Sequence, residues 1–409
     1  MSTAAAQRPL AVAWAALLAL AVAMGIGRFA FTPLLPMMLH DGSIDLQAGS
    51  WLATANYLGY WLGAMACTLQ PWLWARWRVT RPLAHTAVVR AGLVATVLLT
   101  LGMAQHAPAL WPLWRFLAGV ASALVFVYGS LWCLARLSAL GAPALGGLMF
   151  VGPGLGIAFS GLAATAMVAG GWSATAGWLA FALLAAGLSA LAWPHLRGTA
   201  AVAAPRHGTS RSERRGTLAL FVLAYGLAGL GYIVTATFLP VIARQALPGS
   251  VWLDLFWPLF GLGVALGSLL TLRLPLHWDR RHLLMVCYAM QALGVLLSVV
   301  LPSLWGYALG SLLLGLPFTA ITLFAMQEAR RLRPHDASAT IGMLTAAYGL
   351  GQIAGPPLVA WLLQHSASAA AGFALSLTIA AAALLVGLVI FGALARRDPL
   401  ARPGPSAPA

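Results

Sequence analysis

Residues 10–39 read LAVAWAALLALAVAMGIGRFAFTPLLPMML, a stretch whose one charged side chain is Arg28. A helix rises 1.5 Å per residue, so about 20 mainly apolar residues cross the roughly 30 Å hydrocarbon layer of a bilayer. This run exceeds that minimum, and it predicts a span that tilts or extends past the lipid. Leu10 to Ala23 alone would pass for the apolar core of a signal peptide. The apolar stretch continues through Phe29-Ala30-Phe31 to Leu39, and only Arg8 precedes it, so an uncleaved first helix is the better reading.

Outward from there the same pattern recurs at 49–70, 82–104, 108–136, 142–169 and 172–194, then at 217–243, 251–272, 282–300, 302–328, 338–363 and 370–394. Charged residues make up 8% of the 409-residue chain and apolar residues 61%. A soluble domain carries about a quarter charged residues. So few charges cannot cover a water-facing surface, and the apolar side chains must face lipid. The expected fold is an all-α integral membrane protein: twelve transmembrane helices in two pseudo-symmetric six-helix bundles.

The net charge of +15 does not mark a nucleic-acid binder. Its arginines sit in short clusters between apolar runs and form no basic face. All 23 cationic residues are Arg and none is Lys, a feature of genome composition rather than of chemistry.

The longest polar segment, 196–216, carries Arg197, Arg206, Arg211, Arg214 and Arg215 against Glu213. It divides the chain into a bundle at 1–195, a basic cytoplasmic linker at 196–216 and a second bundle at 217–396. The Pro-rich end, 397–409, is expected to be a disordered cytoplasmic tail. With the N-terminus, the even-numbered loops and the tail on one side, that side collects nineteen arginines and the other only Arg244. The positive-inside rule makes the first side cytoplasmic and puts both termini there.

Cys67, Cys133 and Cys287 lie in or beside apolar helices and read as small buried hydrophobes. No metal-ligand spacing, phosphate loop or nucleophile–base pair occurs. No catalytic residue, metal site or cofactor is therefore expected, and the chain does not read as an enzyme.

The halves resemble each other at an offset of about 204 residues. Gly27 matches Gly231, Leu35-Pro36 matches Leu239-Pro240, Gly59 and Gly63 match Gly263 and Gly267, and Gly152-Pro153 matches Gly355-Pro356. Two similar halves around a basic inner loop describe a carrier that rocks about a central site.

Trp114-Arg115-Phe116-Leu117-Ala118-Gly119 resembles the Arg-x-x-x-Gly motif of the major facilitator superfamily, and Gly147 through Gly152-Pro153-Gly154-Leu155-Gly156 its Gly-Pro motif. Gly25 to Pro36, followed by Ala55-Asn56-Tyr57-Leu58-Gly59-Tyr60, resembles the YbfB/YjiJ group of bacterial members, as does Gly351-Gln352-Ile353-Ala354-Gly355-Pro356. The resemblance covers nearly the whole chain. It implies a secondary carrier of the bacterial inner membrane and names no solute. One departure stands out: the superfamily's loop after its second helix usually holds an Asp, and here only the basic part remains, as Arg76, Arg78 and Arg81. That puts the usual charge lock of this half in question.

An arginine inside a span is expensive, roughly 2.5–3.5 kcal/mol at mid-helix, so it is kept for a reason. Arg28 reads as an anchor for an anionic group, because a guanidinium fork matches a carboxylate. Its alternative is a structural bond to a neighbouring helix. Arg115 reads equally as a solute contact or a packing bond, and Arg90 as a side chain snorkelling to the inner surface. No Asp or Glu falls mid-span. Exporters of cationic drugs and proton-driven carriers commonly rely on such an acid.

Further lining candidates are Thr32, Asn56, Tyr57, Tyr128, Tyr225, Tyr232, Thr235 and Gln352, with Tyr232 standing where Arg28 stands in the other half. Gly152-Pro153 and Gly355-Pro356 are candidate flexing points. Three functions are compatible with these residues: a carrier for a small organic anion or polar metabolite, an exporter of amphipathic drugs, and a membrane sensor or enzyme without transport. The expected partners are a small solute and the lipid bilayer, with a coupling proton as a further candidate. No nucleic acid is expected, and a monomer suffices.

Overall fold

In the computed structural model, residues 8–77, 84–198, 215–247, 252–275, 278–333 and 337–397 are described. They form twelve helical rods and, among the described residues, no strand. In chain order these are α1 Pro9–His40, α2 Leu46–Arg76, α3 His85–Gly102, α4 Pro108–Ala139, α5 Pro143–Ala169 and α6 Ala174–His195, then α7 Arg215–Ala246, α8 Phe256–Thr271, α9 Arg280–Val300, α10 Leu304–Leu332, α11 Ala337–His365 and α12 Ala369–Arg397. Arg78, Arg81, most of the basic linker and the Pro-rich tail lie outside the described residues.

Nine of the twelve rods are long and apolar enough to cross a membrane by themselves. The exceptions are α2, α8 and α11. Rod α8 is apolar but only 16 residues long, whereas α2 and α11 are long and less apolar. Rod α2 lies along α11 across the seam. A polar side chain such as Asn56 or Gln352 is tolerated there because it is buried in protein.

Two prolines shape α1. It winds as an α-helix to Leu20, loosens into a π-turn over Ala21–Ile26, turns through Gly27 to Ala30, and resumes as an α-helix at Phe31–His40. Pro33 has no N–H for the Phe29 carbonyl, and its ring crowds that turn, so the ladder fails just before it. The Phe29 carbonyl instead accepts from the Thr32 N–H at 3.1 Å. That diverts the donor due to the Arg28 carbonyl. In α7 the equivalent positions are Thr237 and Pro240, and α7 runs as one unbroken helix. One proline is absorbed; two, three residues apart, break the rod.

The repeat holds in three dimensions. A Cβ at Gly119 of α4 would run into the Asn56 carbonyl of α2, and one at Gly315 of α10 would run into the Phe260 carbonyl of α8. Asn56 and Phe260 are 204 residues apart, so both bundles make the same close helix contact in the same register. Such contacts need small residues because van der Waals packing, not the hydrophobic effect, joins helices in lipid.

Between the bundles the seam is closed at both ends. Toward the α1–α2 loop, Thr32 donates to the Ala236 carbonyl at 2.8 Å, and Tyr57 meets the Thr237 hydroxyl at 2.9 Å. Toward the opposite end, Trp61 Nε1 donates to the Ala346 carbonyl at 3.0 Å and Ser268 to the Phe150 carbonyl at 3.0 Å.

Candidate functional site

The break in α1 lies at the seam between the bundles. Arg28 lies in it, 3% exposed, and crosses to the other bundle: Nη2 donates to Gln352 Oε1 of α11 at 2.6 Å. Gln352 in turn donates through Nε2 to the Tyr232 hydroxyl of α7. The guanidinium carbon stands 3.9 Å from the Tyr60 ring centre, 5.2 Å from Phe29 and 5.5 Å from Tyr57. Ring faces stabilise a cation at such distances. Arg28 Nε is buried with no hydrogen-bond partner.

A second guanidinium stands beside it. Arg115 of α4 is 2% exposed and donates from Nη1 to the Gly27 carbonyl at 3.3 Å and from Nη2 to the Arg28 carbonyl at 3.2 Å. Those carbonyls lost their helical donors where α1 breaks. Asn56 of α2 ties the knot, donating through Nδ2 to the Arg115 carbonyl at 2.9 Å and to the Gly27 carbonyl at 3.4 Å. Arg115 and Asn56 thus hold the turn that carries Arg28.

The other bundle supplies an aromatic wall. Tyr232 stacks on Tyr348 at 5.7 Å and meets Phe318 edge-on at 5.0 Å. Tyr348 lies 4.9 Å from Tyr225, whose hydroxyl donates to Thr322 at 3.2 Å. Among the described residues no carboxylate pairs with Arg28. The centre is a buried, aromatic, positively charged spot on the seam of two bundles.

Two comparisons bear on what such an architecture is. The family model described as an uncharacterised MFS-type transporter, YbfB, matches residues 20–392. The chain belongs to that family. Among solved structures, a point mutant of the nucleoside transporter NupG aligns at TM-score 0.69 with 15% identity, over 94% of this chain and 99% of that one. NupG itself aligns at TM-score 0.64 with 14% identity, over 94% and 98%. A bacterial homologue of the human lysosomal transporter Spinster, in an inward-facing unoccupied conformation, aligns at TM-score 0.63 with 13% identity, over 96% and 98%. At such identities the likeness shows the fold alone. No curated protein matches the chain.

This MFS transporter brings together Arg28, Thr32, Asn56, Tyr57, Arg115, Tyr232 and Gln352 from the residues its sequence marks, and it joins Tyr225 to them through Tyr348. Tyr128 stands apart: its hydroxyl donates to Gln70, and its ring is 5.4 Å from His85, toward the far end of α4. Thr235 is buried in α7, and its hydroxyl has no partner among the described residues. Arg90 donates to the Trp193 carbonyl at 3.3 Å and covers that ring at 5.0 Å, a helix-end contact.

Gly152 and Gly355 press against α1 and α7 respectively. Pro153 falls in the first α-helical turn of α5, where no intrahelical donor is missed, whereas Pro356 and Pro357 lie inside α11. The sequence had not singled out Tyr60, although it lies four residues after Asn56 on the same helical face, a spacing that could have found it.

A separate charge cluster sits where α9 begins and α10 ends. Buried Glu328 of α10 accepts from Arg331 at 2.6 and 2.8 Å and lies 3.8 Å from Arg281 of α9. Arg281 also grips Asp279 at 2.7 Å and the Leu394 carbonyl of α12 at 3.2 Å. The acids missing from the first half's loop are thus present in the second half, where they tie α9, α10 and α12.

Proposed function

We propose that this transporter is a secondary carrier of a small organic anion or polar metabolite in a bacterial inner membrane, with both termini cytoplasmic. The observation that carries the proposal is Arg28, a buried guanidinium on the seam with no acidic partner among the described residues. A buried cation without a counter-ion is costly, and a visiting anion would relieve that cost. The two similar bundles support alternating access, in which residues 1–195 and 217–396 rock as two bodies joined by 196–216, and Gly152-Pro153 and Gly355-Pro356 flex. Solute contacts come from Arg28, Tyr57, Tyr60, Tyr232 and Gln352, while Arg115 and Asn56 hold the turn.

A thermal-shift screen of the purified carrier against metabolites of either charge tests this. A ligand at a hundred times its Kd stabilises the bound form by about 2.7 kcal/mol. Organic anions should raise the melting temperature, and Arg28→Ala should erase the shift and the transport while still reaching the membrane. Selective stabilisation by amphipathic cations, unchanged in Arg28→Ala, would turn the reading toward drug export.

A further inference from the structure

The Arg28 fork is half used. Its Nη2 hydrogen bonds to Gln352 Oε1 at 2.6 Å, while Nε, on the same edge of the guanidinium, is buried without a hydrogen-bond partner. That edge matches the two oxygens of a carboxylate, which would fill both donors and balance the charge. A carboxamide has the same planar shape, one acceptor oxygen and no charge. It satisfies one donor and leaves the other empty. Gln352 is itself oriented by its bond to the Tyr232 hydroxyl, so its oxygen is aimed at Arg28 rather than resting there by chance.

We propose that Gln352 is the carrier's internal substitute for the carboxylate of its solute. With no solute bound, Gln352 occupies Arg28, and the two bundles close over a guanidinium that is partly satisfied. An arriving carboxylate displaces the Gln352 oxygen, takes Nε and Nη2 together, and leaves Gln352 and Tyr232 as donors toward the rest of the solute. Because the empty carrier also closes, it returns across the membrane unloaded. Net flux results, and the carrier is not confined to one-for-one exchange of anions. This rests on the reading of Arg28 as the solute anchor.

The test reads closure in the empty protein and needs no knowledge of the solute. Spin-label pairs span the seam at exposed positions: Ser43 with Ala367 at one end, Ser138 with Arg330 at the other. They are placed in protein whose three native cysteines are replaced by alanine and which is held in lipid nanodiscs. The unsubstituted seam should give short distances at both ends together. In Gln352→Ala the doubly closed population should fall at least threefold. Sodium acetate should restore it and sodium chloride at equal strength should not, because acetate fits the vacated place on Arg28. Gln352→Glu, of nearly the same shape, should stay closed with or without acetate.

Full closure of Gln352→Ala without acetate, or no response to acetate, overturns the proposal. If Gln352→Ala does not yield monodisperse protein, Gln352→Glu decides: an acetate-dependent or open Gln352→Glu overturns the substitute role. Failure here is distinct from failure of the transport reading, which falls when Arg28→Ala retains transport.

Discussion

Thr32 donates a hydrogen bond to the carbonyl of Ala236 at 2.8 Å, and the two residues are 204 positions apart, the spacing of the internal repeat. They occupy the same place in α1 and α7. The pseudo-twofold axis that relates the bundles therefore passes beside this bond. Arg28 and Tyr232, one helical turn earlier in each copy, flank the axis with different chemistry. Symmetry supplies the frame, and the substitution at one position makes the site.

Arg115 is expected to act through the backbone. Its two Nη groups serve the Gly27 and Arg28 carbonyls, and a lysine cannot reach both as a fork does. A buried acceptor left unsatisfied costs about 1–3 kcal/mol. Arg115→Lys should melt several degrees below the parent in detergent, while organic anions still shift its melting temperature. A variant that melts with the parent but no longer responds to anions would place Arg115 on the solute instead.

Pro33 is expected to trade stability against motion. Pro33→Ala returns an N–H to the Phe29 carbonyl and gives α1 a backbone closer to that of unbroken α7. An interior proline costs a helix about 3 kcal/mol. The variant should melt at or above the parent temperature and transport about tenfold more slowly, equivalent to roughly 1.4 kcal/mol in the barrier. Parallel vesicle uptake and melting measurements on the variant decide it; unchanged uptake removes the break from the mechanism.

Asp279 caps the start of α9 and gives a pH signature. Burial alone raises its carboxyl pKa, but the Arg281 hydrogen bonds, the Arg281 charge and His282 outweigh it and hold it below the ordinary 3.8. A carboxyl held lower in the folded state contributes stability above its ordinary value and loses it as pH falls through the lower, folded one. The melting temperature should therefore start to drop as pH falls below the ordinary 3.8 and go on dropping through the lower, folded value. Asp279→Asn should melt lower at pH 7 and flatten that part of the profile. An identical acid profile in the variant would remove Asp279 from the linkage.

Twelve spans would place both ends of the chain on one side of the membrane. Protease-accessible tags on the first and last residues should be cut from the same side in sealed vesicles, and the arginine bias assigns that side to the cytoplasm. Cleavage of the two tags from opposite sides would break the even count.

Much of this was legible beforehand. Apolar length reports membrane spans because lipid offers no partner to a bare backbone, so each of the twelve runs appears as a rod. Arg28 was conspicuous for the same reason, as a charge where charge is expensive. Harder to see was what Arg115 would bond, since a guanidinium that anchors a solute and one that anchors a carbonyl look alike in a string of letters. Its partners are carbonyls freed where α1 breaks before Pro33, and they lie where Gly27 of α1 sits close against Ser122 of α4.

Composition and periodicity by themselves determined the membrane, the number of crossings, the repeat and the unusual arginine, since each depends on local hydrophobicity or on spacing along the chain. Tertiary structure alone decided that Arg28 ends on Gln352, 324 residues away, with Tyr60 under its face and Nε left free. A contact across the seam depends on how two bundles settle against each other to within an ångström, and no window of sequence contains both sides of it.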